Sequence, residues 1–146
     1  MVTEQYSEIS TNEEKFKTLL KMIHANLLKE LGFKKDNYNF RLFLENGGVY
    51  SGYLINFQKS LYSDRSELLF TINIARKSSN VKIDEKFKEY DCNNPNDSKR
   101  LAMLSSKYGF DKWWSITSSS DMTMIENDIV NLLKDCAFPW FGLNDN

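Results

Sequence analysis

The segments Tyr53-Leu54-Ile55-Asn56-Phe57-Gln58-Lys59-Ser60 and Leu68-Leu69-Phe70-Thr71-Ile72-Asn73-Ile74-Ala75 decide the fold. In each, apolar residues alternate with neutral amides or a hydroxyl, the two-residue period of an extended strand. A short loop over residues 61–65 joins them as antiparallel neighbours. The pleat then places Tyr53, Ile55 and Phe57 on the same face as Phe70, Ile72 and Ile74. Asn56 and Gln58 share the other face with Thr71 and Asn73, because a slip of one residue would mix the greasy and polar sets.

Upstream, Tyr38, Phe40, Leu42 and Leu44 alternate with Asn39, Arg41 and Phe43, and Asn46-Gly47-Gly48 turns the chain back into the first segment. This makes a three-strand meander. Before it, Phe16, Leu19, Leu20, Ile23, Leu27 and Leu31 recur at helical spacing, opened by a Thr11–Glu14 capping box and closed at Gly32. After it, the charged stretch 76–99 loses the pattern, with a helical turn or two expected within residues 83–90. Residues 100–105 and 112–117 read as short strands around Tyr108-Gly109. Met122, Ile125, Ile129, Leu132, Leu133 and Cys136 mark a final helix, capped near Asp121 and stopped by Pro139. Trp140 and Phe141 are expected to pack back on the body. Helices at the ends and strands between them imply an α+β fold. Its antiparallel sheet, a three-strand meander plus two short strands, is covered on one face by an N-terminal and a C-terminal helix. Residues 1–11 read as a flexible lead-in and residues 12–146 as a single domain.

A chain of 146 residues, 41% hydrophobic and 14% aromatic, is large enough to bury roughly 70% of its unfolded surface without a metal or disulfide. Nineteen basic and twenty acidic residues leave a net charge of −1, without the positive field that holds nucleic acid or anionic membrane. No run approaches the ~20 apolar residues of a membrane span. The polar start of the chain is no export signal. The expectation is therefore a cytoplasmic protein, with Cys92 and Cys136 as reduced thiols.

Chemistry-bearing residues are sparse. His24, the single histidine, lies on the flank of the helical stripe with no orienting partner in sequence. Cys92 is the one candidate nucleophile, and His24 the only imidazole that could serve it. Neither thiol has zinc spacing, so no metal and no cofactor are expected. The amide face (Asn56, Gln58, Thr71, Asn73) has two readings. It is a solvated polar face, or it recognises a polar ligand or a partner's backbone, with Lys59, Arg41 and Arg100 near its edges. Trp113 and Trp114 point to opposite faces of their strand, one inward and one covered by Trp140 and Phe141 or the final helix, or exposed as an anchor.

The strings Asn56-Phe57-Gln58-Lys59-Ser60, Phe70-Thr71-Ile72-Asn73-Ile74 and Asp111-Lys112-Trp113-Trp114 resemble domain-of-unknown-function family 4304, a bacterial family of small single-domain proteins. Leu31-Gly32-Phe33-Lys34-Lys35 and Phe138-Pro139-Trp140 fit it too. The resemblance implies a recurring constellation of Asn56, Gln58, Lys59 and Trp114, and implies no catalytic role. Together these readings favour a non-catalytic protein-interaction module, an immunity-type protein being one form. The alternative is a small polar-ligand site or enzyme using Asn56, Gln58 and Lys59, with Arg100 holding an anion.

Overall fold

Thr11 opens the first helix as its spacing to Glu14 requires. Its hydroxyl accepts from the Glu14 N–H at 3.1 Å, and the Glu14 carboxylate accepts from the Thr11 N–H at 2.9 Å. The computed structural model describes residue 6, residues 10–92 and residues 94–143. Helix α1 runs over Asn12–Ile23 and continues into a π turn, His24–Leu28. There the Lys29 N–H reaches back to the His24 carbonyl at 2.8 Å, one residue farther than an α-helical bond. That extra residue rotates the following side chains by about 100°. Leu28 is therefore fully buried and Leu31 is 41% exposed, where the stripe predicted Leu27 and Leu31 inside.

The second helical run repeats the device. Asp121 caps α2 (Met122–Leu132), accepting from the Met124 N–H at 3.1 Å. A π turn over Leu133–Ala137 leads into α3 (Phe138–Phe141), which ends at Gly142 in the left-handed region. Pro139 does not stop the helix as expected. The helical run passes through it to Phe141, directly after the π turn whose last bond joins the Phe138 N–H to the Leu133 carbonyl.

Among the described residues six strands form one antiparallel sheet: β1 (Lys34–Asp36), β2 (Asn39–Asn46), β3 (Val49–Lys59), β4 (Leu68–Val81), β5 (Ser98–Arg100) and β6 (Trp114–Ile116). The first five follow in order. Both short strands β5 and β6 pair with β4, along Asn73–Ala75 and Leu68–Phe70 in turn. The central register is Asn56 opposite Asn73, Phe57 opposite Ile72 and Gln58 opposite Thr71, so the faces sort as the alternation demands. The α+β class follows as read from the sequence.

Three expectations change. Strand β4 continues through Arg76 to Val81, and β1 precedes the meander. The stretch 100–105 is not a strand beyond Arg100. Leu101–Leu104 is a 3₁₀ turn, and its neighbours Leu101 and Ala102 are both buried, which a strand could not arrange against one face.

The helices cover the face of Phe40, Ile55, Phe57, Phe70, Ile72 and Ile74. Phe16 of α1 centres this core, its ring 4.9 Å from that of Phe70 and 5.5 Å from that of Tyr38. The opposite face is not bare. Phe87, 1% exposed, packs there on Leu54 and Ala75 with Phe43 and Cys92 alongside. A Cβ at Gly52 would come within 2.6 Å of the Phe87 ring, so glycine is what admits it. Of the expected lead-in, residues 1–5 and 7–9 lie outside the described residues, while Tyr6 donates to the Glu126 carboxylate at 2.8 Å. The chain end packs back as expected: Phe141 meets Tyr53 at 5.2 Å, and the Arg76 guanidinium lies 4.1 Å from the Trp140 ring.

Candidate functional site

Strand pairing lines up Asn39, Asn56 and Asn73 across β2, β3 and β4. Asn56 donates to the Asn39 carbonyl oxygen at 2.7 Å. Asn73 in turn donates to Asn56 at 3.0 Å and to Gln58 at 2.9 Å. The Thr71 hydroxyl donates to the Lys112 carbonyl at 2.7 Å. The three asparagines and Gln58 thus meet one another on this face, and Thr71 meets backbone. Thr71, Asn39 and Asn73 are buried, Asn56 is half-buried and Gln58 is exposed. A buried amide must find partners or cost stability, and here the ladder supplies them. The arrangement can hold three strands in register and fix the orientation of Gln58 at its rim.

Arg100 joins this face, since it pairs with Asn73. Its guanidinium bridges to Asp111 at 2.8 Å and lies 5.3 Å from the Trp113 ring. Trp113, half-exposed, is the tryptophan on this side. Trp114 is 3% exposed and stacks on Phe70 at 5.6 Å in the helix-side core. Its Nε1 donates to Asp128 at 3.0 Å, beside Tyr108 at 2.6 Å and Lys107 at 2.9 Å. Arg41, also on the amide face, donates to the Phe87 carbonyl at 2.9 Å and to Asp36 at 3.1 Å. The Arg41 hydrogen bond holds the Asp36 carboxyl below its usual range, against a small opposing effect of burial. Arg41 Nη2 is buried without a partner among the described residues.

Lys59 does not stand with Asn56 and Gln58. It pairs with Phe70, so the pleat turns its side chain to the helix side. There its ammonium meets both Glu13 oxygens, at 2.9 and 3.1 Å, and lies 5.3 Å from the Tyr38 ring. The Tyr38 hydroxyl donates to the same carboxylate at 3.1 Å. Burial pushes the Glu13 carboxyl up, but Lys59 and Tyr38 outweigh it and hold the group below its usual range. Glu13 in turn raises the Lys59 ammonium. This cluster forms a wall of an open groove of about 910 Å³, lined also by Thr11, Leu61, Asp64 and Arg65. Leu61, on its lining in the β3–β4 connection, is 100% exposed, and the next residue, Tyr62, is 89% exposed. The sequence carried one signal for this place: two bulky apolar residues in a connection, where polar residues usually stand.

The remaining candidates are dispersed. His24 contacts the Phe33 carbonyl at 2.9 Å and lies 5.8 Å from the Phe40 ring, on the helix side. Cys92 packs on the opposite side with Leu54, Ala75 and Phe87, and its thiol donates to the Arg76 carbonyl at 3.3 Å. The sheet therefore separates the thiol from the imidazole. Burial and the nearby Asp97 push the Cys92 thiol up, the wrong direction for a nucleophile. Cys92 and Cys136 are both free. Among the described residues no group of three or more His, Cys, Asp or Glu side chains is placed to hold a metal ion. No helix of the described residues is long and apolar enough to cross a membrane.

The chain belongs to the family described as Domain of unknown function (DUF4304), which matches it over residues 24–143. No curated protein and no solved structure matches it.

Proposed function

We propose that this member of a family of unknown function is a non-catalytic interaction module, and that it receives a protein partner at the groove beside the β3–β4 connection. The supporting observation is the exposed Leu61 on the lining of a mainly apolar groove, with the nearly bare Tyr62 next to it in the chain. An exposed tyrosine offers much contact area for little lost side-chain freedom, which suits it to anchor an interface. The groove is open to solvent, and two charges on its wall, Glu13 and Lys59, neutralise each other. That favours an extended polypeptide segment laid across it over a small charged molecule. Asn56, Thr71, Asn73, Arg100 and Cys92 each bond to another side chain or to backbone, which suits a structural role better than activation of a substrate.

The test is a photo-crosslinking amino acid at position 62 and, separately, at the exposed Met124, in the chain's native cells. The expected result is one stoichiometric adduct from position 62 and none from position 124. The double variant Leu61→Asp, Tyr62→Asp should lose the complex on gel filtration while melting as the parent does. Migration of the chain alone at native concentration, with a metabolite bound to it, would overturn the proposal.

A further inference from the structure

Across Tyr38 from that groove lies a second one, of about 440 Å³, lined by Lys17, Leu20, Lys21, Lys35, Asn37 and Tyr38. Three lysines line it from two elements. Lys17 and Lys21 are one helical turn apart on α1, so their side chains share a face. Lys35 of β1 pairs with Phe40, whose ring lies in the helix-side core, so its side chain emerges on the α1 side of the sheet. All three lysines are exposed.

Their neighbours find partners. Lys34 holds Asp84 at 2.7 Å and Lys59 holds Glu13 at 2.9 Å. Among the described residues no carboxylate lies within ion-pair distance of Lys17, Lys21 or Lys35. Glu13 and Glu14 act on Lys17 only through space, and Glu13 is already bonded to Lys59 and Tyr38. Asp36, next in sequence to Lys35, is held by Arg41 at 3.1 Å. Like charges on one lining repel, and an anion bound between them offsets that repulsion.

We propose that this groove binds the phosphoryl group of a small phosphorylated metabolite. Lysine ammoniums are compact point charges with three donors each, suited to a tetrahedral dianion. A planar carboxylate is better matched by the fork of an arginine, and no arginine lines the groove. The volume lies within the ~300–1,000 Å³ range of small-molecule sites, enough for the phosphoryl group and a sugar-sized remainder. The rest of the lining is Asn37, a polar amide, with Leu20 and Tyr38 as a wall. A near-neutral chain, net charge −1, is poorly suited to a membrane surface, which favours a soluble source for the phosphate. This site is independent of the partner proposed above.

The experiment titrates the whole chain with pyrophosphate at fixed ionic strength, following backbone amide shifts. Inorganic phosphate, chloride and phosphatidylglycerol vesicles are the comparison arms. Saturable binding of pyrophosphate, with shifts centred on residues 17–21 and 35–38, is expected. Binding should weaken about tenfold or more in Lys21→Gln, Lys35→Gln, and stay within about twofold of the parent in the charge-matched pair Lys29→Gln, Lys134→Gln. These exposed lysines tolerate the change without unfolding, which a melting curve checks. Absence of saturation, equal weakening in both double variants, or preferential sedimentation with the vesicles would each overturn the proposal.

Discussion

The two faces of the sheet are held by different physics. The helix side is a continuous apolar core in which Phe16, Phe57, Phe70 and Trp114 interlock. The other side has only a small cluster around Phe87, and beside it a ladder of amides. Apolar burial is non-directional and scales with area, so the first face supplies most of the stability. Hydrogen bonds are directional and modest in net energy, so the second face selects register more than it stabilises. Among the described residues the amide-face groups are largely bonded to one another or to backbone, with Arg41 Nη2 buried without a partner. The grooves lie at the edge of the helix layer, around Glu13, Tyr38 and Lys59, where helix, turn and strand ends meet.

Removing Phe70 should damage most. Phe70→Ala is expected to cost about 3–5 kcal/mol, the range for a fully buried phenylalanine. Urea unfolding followed by tryptophan fluorescence measures it, with the stacked Trp114 as reporter. Phe87→Ala should cost less, about 3 kcal/mol at the low end of that range, because only a small cluster closes around it. Its effect should be local, with faster hydrogen exchange in residues 82–92 and along β3 near Gly52. A loss as large as that of Phe70 would erase the distinction between the faces.

Asp128 sits behind the helix-side core as the acceptor for Trp114, Tyr108 and Lys107. Asp128→Asn should cost about 1–3 kcal/mol, since donors to a carboxylate lose their charged acceptor. Burial raises this carboxyl, but its three donors outweigh burial and hold it below the usual range. A depressed carboxyl stabilises fully above its unfolded value and loses that contribution as pH falls through the folded one. The gap between parent and variant should therefore be widest near neutrality and close in acid. A gap that widens in acid would contradict the geometry. On the amide face, Asn73→Ala should cost about 1 kcal/mol, because Asn56 and Gln58 lose a donor at positions water can reach. Chemical denaturation resolves the two variants.

What the sequence disclosed divides along the same line. Alternation in β3 and β4 gave the register and both faces, because a strong apolar contrast fixes the pleat. The Thr11–Glu14 spacing gave the capping box. The π turns left no such trace. Leu27, Leu28 and Leu31 are all leucine, and only the backbone decides which of them turns inward. The segment Arg76–Val81 looked unpatterned because ion pairs occupy it, Arg76 with Asp97 and Lys77 with Glu85. Of the candidate site, the alternation brought Asn56, Gln58, Thr71 and Asn73 together, and strand pairing adds Arg100 beside them. It placed Lys59 by sequence nearness, although a single step along a strand reverses the face. The grooves stayed hidden because their walls come from Thr11, Lys59 and Arg65, or from Lys17 and Lys35, which share no local pattern.

Lys59→Ala gives the smallest expected effect and a useful contrast with Asn73→Ala. Its ion pair with Glu13 is about one third exposed on each side, at 33% and 39%. A pair so open to water contributes about 0.2–1 kcal/mol, and salt screens it further. The variant should melt within a degree or two of the parent, with the difference shrinking as salt is added. The Glu13 carboxyl should titrate higher once the ammonium is gone, which carbon-detected NMR can follow. Losing the Lys59 side chain should thus change the charge of the groove wall and leave the sheet intact. A loss above about 2 kcal/mol would instead make Lys59 part of the framework, its stem packed under Tyr38 as the amides are packed under one another.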